Sequence, residues 1–219
     1  MNLKLTTVIL TLLIAAVWLV NCADVPSSGP TPPEFNAQYR FINAAEDLGD
    51  VGVSVDGSSV GTAAYGGAIA HQTFPAGSRV VALNSGDSQT IAMDTDQRGS
   101  IVFLPLVGDT RRFLRLSERR TFDSPTTPTA MFRGVHASPD AGDIEITVAG
   151  ADTTITETGS YGDVSPYASV PAGDYTMTVT TAAGDTLVGT FSFSNMRHTG
   201  ILMGSSAAGT LSLVGFDDN

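Results

Sequence analysis

The residue with the most specific chemical signature in this 219-residue sequence is Cys22, the single cysteine of the chain. Lys4 precedes an uncharged, mostly apolar stretch at residues 5–20, and Cys22 follows that stretch closely. A basic residue before an apolar stretch shorter than the ~20 residues of a membrane-spanning helix is typical of a secretory signal peptide. One cysteine cannot form an internal disulfide. We therefore predict that Cys22 is a lipidation site, and the alternative is an unmodified thiol in an ordinary signal peptide.

The residues around Cys22 support this prediction. The run Leu19-Val20-Asn21-Cys22 resembles a bacterial lipobox, although Asn21 departs from the small residue that usually precedes the cysteine. The resemblance implies a diacylglyceryl group on Cys22 and removal of residues 1–21. Residues 22–36 contain four prolines, which favour an extended tether. We expect an exported protein that is lipid-anchored in the cell envelope, at the outer membrane or the cell surface.

A second set of residues with potentially reactive side chains lies in the second half of the chain, at His136, Ser138 and Asp140. Such residues can form a nucleophile with its base. Alternate positions in one strand crowd them at a strand end, and the sequence indicates no oxyanion donors. We interpret His136 and Ser138 as hydrogen-bonded residues at a strand end. We expect a protein that is not an enzyme and uses no cofactor.

Clustered carboxylates suggest a third chemistry. Asp47 and Asp50 recur at equivalent positions as Asp140 and Asp143. Carboxylate oxygens are calcium ligands, so these four residues are weak candidates for a cation site. The alternative is that Asp stabilises turns by bonding to its own backbone. The run at residues 94–99 begins like a calcium loop but lacks its later ligands, and we interpret it as a hairpin turn.

Five arginines fall within ten positions at Arg111, Arg112, Arg115, Arg119 and Arg120. They are candidates for a patch that binds an anionic ligand, either an acidic glycan or lipid head groups. The alternative is that they pair with the acidic remainder of the protein or guard an edge strand. Residues 1–21 hold one basic and no acidic residue, so their removal takes the net charge from −11 to −12. This charge argues against a nucleic acid partner, because phosphates are bound through Lys and Arg.

These residues sit within an internal duplication. Four segments of the first half recur in order in the second half: 39–44 as 132–137, 51–55 as 144–148, Tyr65-Gly66 as Tyr161-Gly162, and 75–77 as 171–173. The predicted organisation is a signal peptide at 1–21, a Pro-rich tether at 22–36, a first repeat at 37–120, a linker at 121–129 and a second repeat at 130–219.

Short runs separated by turn residues dominate both repeats, and many alternate apolar and polar residues. This pattern is typical of β-sandwiches. We predict an all-β protein with two tandem antiparallel β-sandwich domains, Ig-like or prealbumin-like. In the second repeat seven strands are predicted, at residues 131–137, 144–148, 164–170, 175–180, 187–193, 199–203 and 211–214.

Three motifs of the second repeat resemble a known family. They are Val-His-Ala-Ser-Pro-Asp at 135–140, Tyr-Gly-Asp-Val-Ser-Pro-Tyr at 161–167 and Val-Pro-Ala-Gly-Asp-Tyr at 170–175. Together they resemble the domain of unknown function 4397 family. This resemblance implies an extracytoplasmic β domain, often present in tandem in secreted and surface proteins, and it supplies no catalytic residue. The first repeat departs from the motifs at 43–47 and at 68–71.

Together these observations predict a non-enzymatic, lipid-anchored cell-envelope protein with a structural, adhesive or ligand-presenting role. The alternative is a carbohydrate- or cation-binding module that assists a partner enzyme. The expected partners are a membrane, through the lipid anchor, and a glycan or another envelope protein.

Overall fold

The structure, a computed structural model, describes residues 35–118 and 129–218. These residues belong to one compact unit. The first repeat contains eight strands, β1 Asn36–Asn43, β2 Val51–Val55, β3 Ser58–Ala63, β4 Ala68–Pro75, β5 Gly77–Leu83, β6 Ser88–Met93, β7 Arg98–Val107 and β8 Thr110–Glu118. The second repeat contains β9 Thr129–His136, β10 Ile144–Ala149, β11 Thr154–Gly159, β12 Ala168–Pro171, β13 Gly173–Thr181, β14 Thr186–Phe193, β15 Arg197–Met203 and β16 Ser212–Asp217. One 3-10 turn, Glu46–Leu48, lies between β1 and β2.

Each repeat folds into two four-stranded sheets with the same topology. The outer sheets have the orders β3-β2-β5-β6 and β11-β10-β13-β14, and the inner sheets β4-β1-β7-β8 and β12-β9-β15-β16. The predicted all-β fold is confirmed, as two sandwich-like units. The sheets are antiparallel except for one central pair in each inner sheet, β1 with β7 and β9 with β15, which run parallel. A parallel pair requires a long crossover, and here the outer sheet provides it.

Alternation along the strands builds a core inside each sandwich. Tyr39 and Phe41 of β1 point into the first core, where Phe41 packs edge-on against Phe74. In the second core, Phe132 of β9 stacks on Phe193 of β14 with ring centroids 5.4 Å apart. The inner sheet supplies the aromatic side chains of the first core, whereas both sheets supply those of the second.

A third apolar layer joins the two repeats. The other face of the inner sheets carries Ile42 and Val102 in the first repeat and Val135 and Ile201 in the second, and all four are fully buried in one cluster. The central strands of both inner sheets are therefore buried on both faces. The four sheets form a stack in which the inner sheets face each other.

The strand boundaries differ from the prediction in one region of the second repeat. Strand β11 was not predicted, because Thr154–Gly159 is an edge strand in which polar residues outnumber apolar ones. Of the predicted strand at 164–170, only the end is part of β12, and Val164 forms an isolated bridge with Val135. Among the described residues, no helix is long and apolar enough to span a bilayer.

Candidate functional site

Two buried arginines mark the junction between the repeats. Arg40 of β1 and Arg133 of β9 are equivalent in the duplication and only 6% and 4% exposed. They lie on the same strand faces as Ile42 and Val135, so alternation directs both into the layer between the inner sheets. A buried guanidinium needs partners for its charge and its N–H groups.

The two arginines make equivalent contacts. The Nε of Arg40 donates to Ser100 Oγ at 2.6 Å, and the Nε of Arg133 donates to Thr199 Oγ1 at 2.8 Å. Each Nη1 then donates to a backbone carbonyl of the other repeat, from Arg40 to Asp217 O at 2.6 Å and from Arg133 to Ser117 O at 3.0 Å. Each arginine thus fastens its own inner sheet and reaches across to the other.

The carboxylates of Glu118 and Asp218 neutralise these arginines, and both side chains are fully buried. Asp218 accepts hydrogen bonds from both arginines, from Thr199 and, at 2.7 Å, from the Tyr167 hydroxyl. Glu118 lies 3.2 Å from the Nη2 of Arg40. We name this set, Arg40, Ser100, Glu118, Arg133, Tyr167, Thr199 and Asp218, the junction network.

Burial and charge act in opposite directions on Glu118. Burial alone would raise the pKa of this carboxyl, but the hydrogen bond from His71 at 2.9 Å and the charge of Arg40 outweigh it and lower the pKa. Burial raises the pKa of Tyr167, which therefore stays a hydrogen-bond donor to Asp218. Both buried carboxylates of the junction network thus have an arginine partner and further hydrogen-bond donors.

The duplicated Tyr-Gly pairs lie at the same junction. The Tyr161 hydroxyl donates to Pro105 O of the first repeat at 2.9 Å, and Gly162 lies directly beneath the Arg112 guanidinium. In the first repeat, Gly66 packs against Met203 of the second. Each Tyr-Gly turn therefore contacts the opposite repeat. The sequence held a sign of this role, because the Tyr-Gly pair is one of the segments that recur in both repeats.

The arginine patch is largely paired within the protein. Arg111 donates to Asp47 at 2.5 Å and to Asp87 at 2.9 Å. Its hydrogen bond lowers the pKa of Asp47, and hydrogen bonds from Ser85 and then from Arg111 lower the pKa of Asp87. Arg115 donates to Asp94 at 2.8 Å. With Arg112 over Gly162, the structure places three of the five arginines against residues of the protein itself, whereas Arg119 and Arg120 lie outside the described residues.

The paired aspartates occupy different surroundings. Asp47 and Asp140 line one groove of about 500 Å³ between the repeats, together with Pro105, Leu106 and Pro139. Asp50 lies outside that groove, and Asp143 accepts from Ser160 Oγ at 2.7 Å. Within residues 35–118 and 129–218, no group of three or more His, Cys, Asp or Glu side chains is arranged to hold a metal ion.

Asp140 instead holds a loop. It accepts from the Ser205 hydroxyl at 2.6 Å and from the backbone N–H groups of Ser206 and Ala207. These hydrogen bonds, led by that from Ser205, lower the pKa of Asp140 to about 2. The carboxylate stays ionised and joins the loop after β9 to the loop after β15.

His136 is likewise committed to the structure. Its Nε2 donates to Gly142 O at 2.7 Å, and its Nδ1 accepts from the Ser138 N–H at 3.3 Å. Burial lowers the pKa of His136, so the ring is neutral near pH 7. Ser138 donates to Asp140 and not to the imidazole. These contacts are those of hydrogen-bonded residues at a strand end, as the sequence suggested. Cys22, the predicted lipidation site, lies outside the described residues.

This architecture defines an all-β protein built from two fused, sandwich-like repeats. Its second repeat, residues 130–219, matches the family described as Domain of unknown function (DUF4397), the family that its motifs resemble. A tandem copy at 37–120 stays a prediction.

Two solved structures are similar to parts of the chain. The N-terminal domain of AlgF from P. aeruginosa is 24% identical over 39% of this chain and 99% of that chain, with a TM-score of 0.31. A leucine-rich repeat protein from Bacteroides thetaiotaomicron is 12% identical over 78% of this chain and 26% of that chain, with a TM-score of 0.20. At these TM-scores neither similarity informs the function. No curated protein matches the chain.

Proposed function

We propose that this is a non-enzymatic protein of the cell envelope, anchored through a lipid on Cys22, which holds a rigid structural, adhesive or ligand-presenting unit away from a membrane. The observation that carries the proposal is the place of β1 in the fold. This strand begins at Asn36, the last residue of the predicted Pro-rich tether, and lies in the middle of its sheet.

Strand β1 is held on every side. It pairs with β4 on one edge and β7 on the other, and its two faces pack into the first core and into the layer between the repeats. Arg40 in the same strand donates to Ser100 and across the junction to Asp217 O. A force on the tether would load all these contacts together, which suits a protein that must resist pulling.

The reactive side chains support a role without catalysis. The side chains of His136, Ser138 and Asp140 are hydrogen-bonded to neighbouring backbone and side-chain groups. A nucleophile needs a base within hydrogen-bond reach, and Ser138 Oγ bonds to an aspartate whose pKa is about 2.

Lipid labelling combined with cell fractionation tests the anchor. We expect the full chain to incorporate labelled palmitate and to remain with the membranes, and Cys22→Ser to lose both properties while keeping its fold. Equal labelling of the two proteins, or release of both into the soluble fraction, would contradict the proposal.

A second candidate function, a carbohydrate-binding module, is supported by the groove between the repeats. Its volume of about 500 Å³ falls within the range of small-molecule sites. Pro105 and Leu106 offer an apolar surface, and the Asp47 carboxylate, which is 43% exposed, can accept from sugar hydroxyls. A glycan array tests this candidate. A specific sugar that Leu106→Asp no longer binds would support it, and an array without a hit would reject it.

A further inference from the structure

We infer that the second repeat binds a small organic cation of the guanidinium class in an aromatic cavity. The inference goes beyond the proposed function and does not depend on the lipid anchor. The cavity, of about 170 Å³, opens between the edge strands β14 and β16 of the second sandwich. Its aromatic and polar lining includes Phe132, Phe191, Phe193, His198 and Asp217.

Two glycines lie at the wall of the cavity, where the Phe132 and Phe191 rings pack over them. Gly200 of β15 faces Gly215 of β16, and both line it. In the first repeat the equivalent pair is Ile101 and Arg115, because Ile101 follows Ser100 just as Gly200 follows Thr199, and Ser100 and Thr199 bind the equivalent arginines. Ile101 is fully buried. The same place in the first repeat is therefore filled by side chains.

The group that fills this place in the first repeat is itself a guanidinium. Arg115 donates from Nη1 to Asp94 Oδ2 at 2.8 Å and to Ala92 O at 2.7 Å, and so bridges from β8 to the edge of the outer sheet. It also interacts with the Tyr39 hydroxyl. Tyr39 is the counterpart of Phe132 in the duplication. The first repeat thus places a planar cation at this edge of its sandwich, held by a carboxylate and a tyrosine hydroxyl.

The second repeat has Phe132 in place of Tyr39 and Ser194 in place of Asp94, and it lines its cavity with aromatic rings and a different carboxylate, Asp217. The Phe193 ring lies 5.4 Å from Phe132, 6.4 Å from Phe191 and 4.9 Å from the His198 imidazole, all centroid to centroid. Aromatic rings attract cations through their quadrupoles, most strongly where water is excluded.

The charge at the cavity has the matching sign. The Asp217 carboxylate is 62% exposed and lies 2.8 Å from His198 Nδ1. Arg and Lys are absent from the lining residues, and the chain as a whole is acidic. A guanidinium can stack on a phenyl ring, of which the lining has four, and donate to a carboxylate at once.

Agmatine and its isostere N-carbamoylputrescine form the matched probe pair, since an uncharged urea group replaces the guanidinium in the second and both keep the same terminal ammonium. Titrations would follow the backbone amides of the mature chain carrying Cys22→Ser by NMR. We expect saturable shifts for agmatine at Gly200 and Gly215, with at least tenfold weaker binding of the isostere.

Two variants locate the site. Asp217→Asn changes an exposed side chain and should weaken agmatine at least tenfold with the fold intact. Gly215→Arg combined with Phe191→Ile copies the first repeat, where Ile91 accompanies Arg115, and relieves the contact of a new Cβ with the Phe191 ring. This double variant should fill the cavity and abolish binding.

Three results would overturn the inference. They are equal binding of the isostere, undiminished binding by Asp217→Asn, and agmatine shifts that map outside the cavity. Should the double variant fail to fold, Asp217→Asn and the isostere still decide the outcome.

Discussion

Replacing Asp218 with Asn should destabilise the whole stack by about 3–5 kcal/mol, the usual cost of breaking a buried ion pair from one side. Asn has the size of Asp, so the change removes a charge without creating a cavity. The Asp218 side chain is fully buried and accepts from two arginines, Thr199 and Tyr167. Its loss therefore acts on both repeats together.

The two arginines are affected unequally. Arg40 retains Glu118 at 3.2 Å, whereas Asp218 is the carboxylate that the structure places against Arg133. The uncompensated charge in the variant is therefore that of Arg133, which is only 4% exposed. In a chain of this length each kcal/mol shifts the Tm by about 2–4 °C, so the Tm should fall by roughly 6–20 °C.

Circular dichroism with thermal and urea unfolding measures this loss. The matched control is Asp217→Asn at the neighbouring position, where the carboxylate is 62% exposed and pairs with His198. Exposed pairs contribute about 0–1 kcal/mol, so this control should unfold close to wild type. If Asp218→Asn also stayed within about 1 kcal/mol of wild type, the junction network would not be holding the repeats together.

Three further outcomes follow from other contacts. Burial lowers the pKa of His136 below 6.5, so as the pH falls the unfolded chain protonates this imidazole before the folded chain does. The stability that is present above pH 6.5 is therefore lost as the pH falls through the folded pKa. Urea titrations at a series of pH values should show a smaller loss of unfolding free energy for His136→Gln than for wild type. Arg111→Ala should lower the free energy of unfolding by about 1.5–3 kcal/mol, because the Arg111 side chain is only 3% exposed and is bonded to two carboxylates. Arg115→Ala should lower it by under about 1 kcal/mol in the same unfolding assay, because the Arg115 side chain is 40% exposed. Equal losses for the two variants would refute this distinction between a buried and an exposed arginine. A fragment of residues 130–219 would expose the Ile201 face of its inner sheet and should self-associate in light scattering, and a clean monomer would show that this face tolerates water.

The sandwich architecture could be predicted from local pattern alone. Alternation along β13, with Tyr175, Met177 and Val179 on one face and threonines on the other, follows directly from the period of a half-buried strand. The inner sheets obey a different rule. Residues 101–104 and 201–203 are uninterrupted apolar runs, which are typical of strands buried on both faces. These runs therefore indicate, from the sequence, that the central strands of the inner sheets are covered on both faces.

The junction network was beyond the reach of local pattern. Arg133 stands in an alternating strand like any exposed arginine, and its acceptors, Ser117 O and Asp218, come from the ends of β8 and of the described chain. Only the fold brings them together. The same is true of the aromatic cavity, because only the strand register shows that Gly200 and Gly215 are equivalent to Ile101 and Arg115 of the first repeat.

Comparison of the two repeats separates what assembles the protein from what distinguishes its halves. The arginine of the first inner strand and the Tyr-Gly turn are shared, and in each repeat they contact the other repeat. These positions meet across the junction, so a change in one repeat disturbs its partner. Positions that face only their own sandwich carry no such constraint, and there Arg115 of one repeat stands where Gly215 stands in the other. The junction therefore holds two similar units in one rigid stack, while the open edges of the two sandwiches can differ without disturbing it.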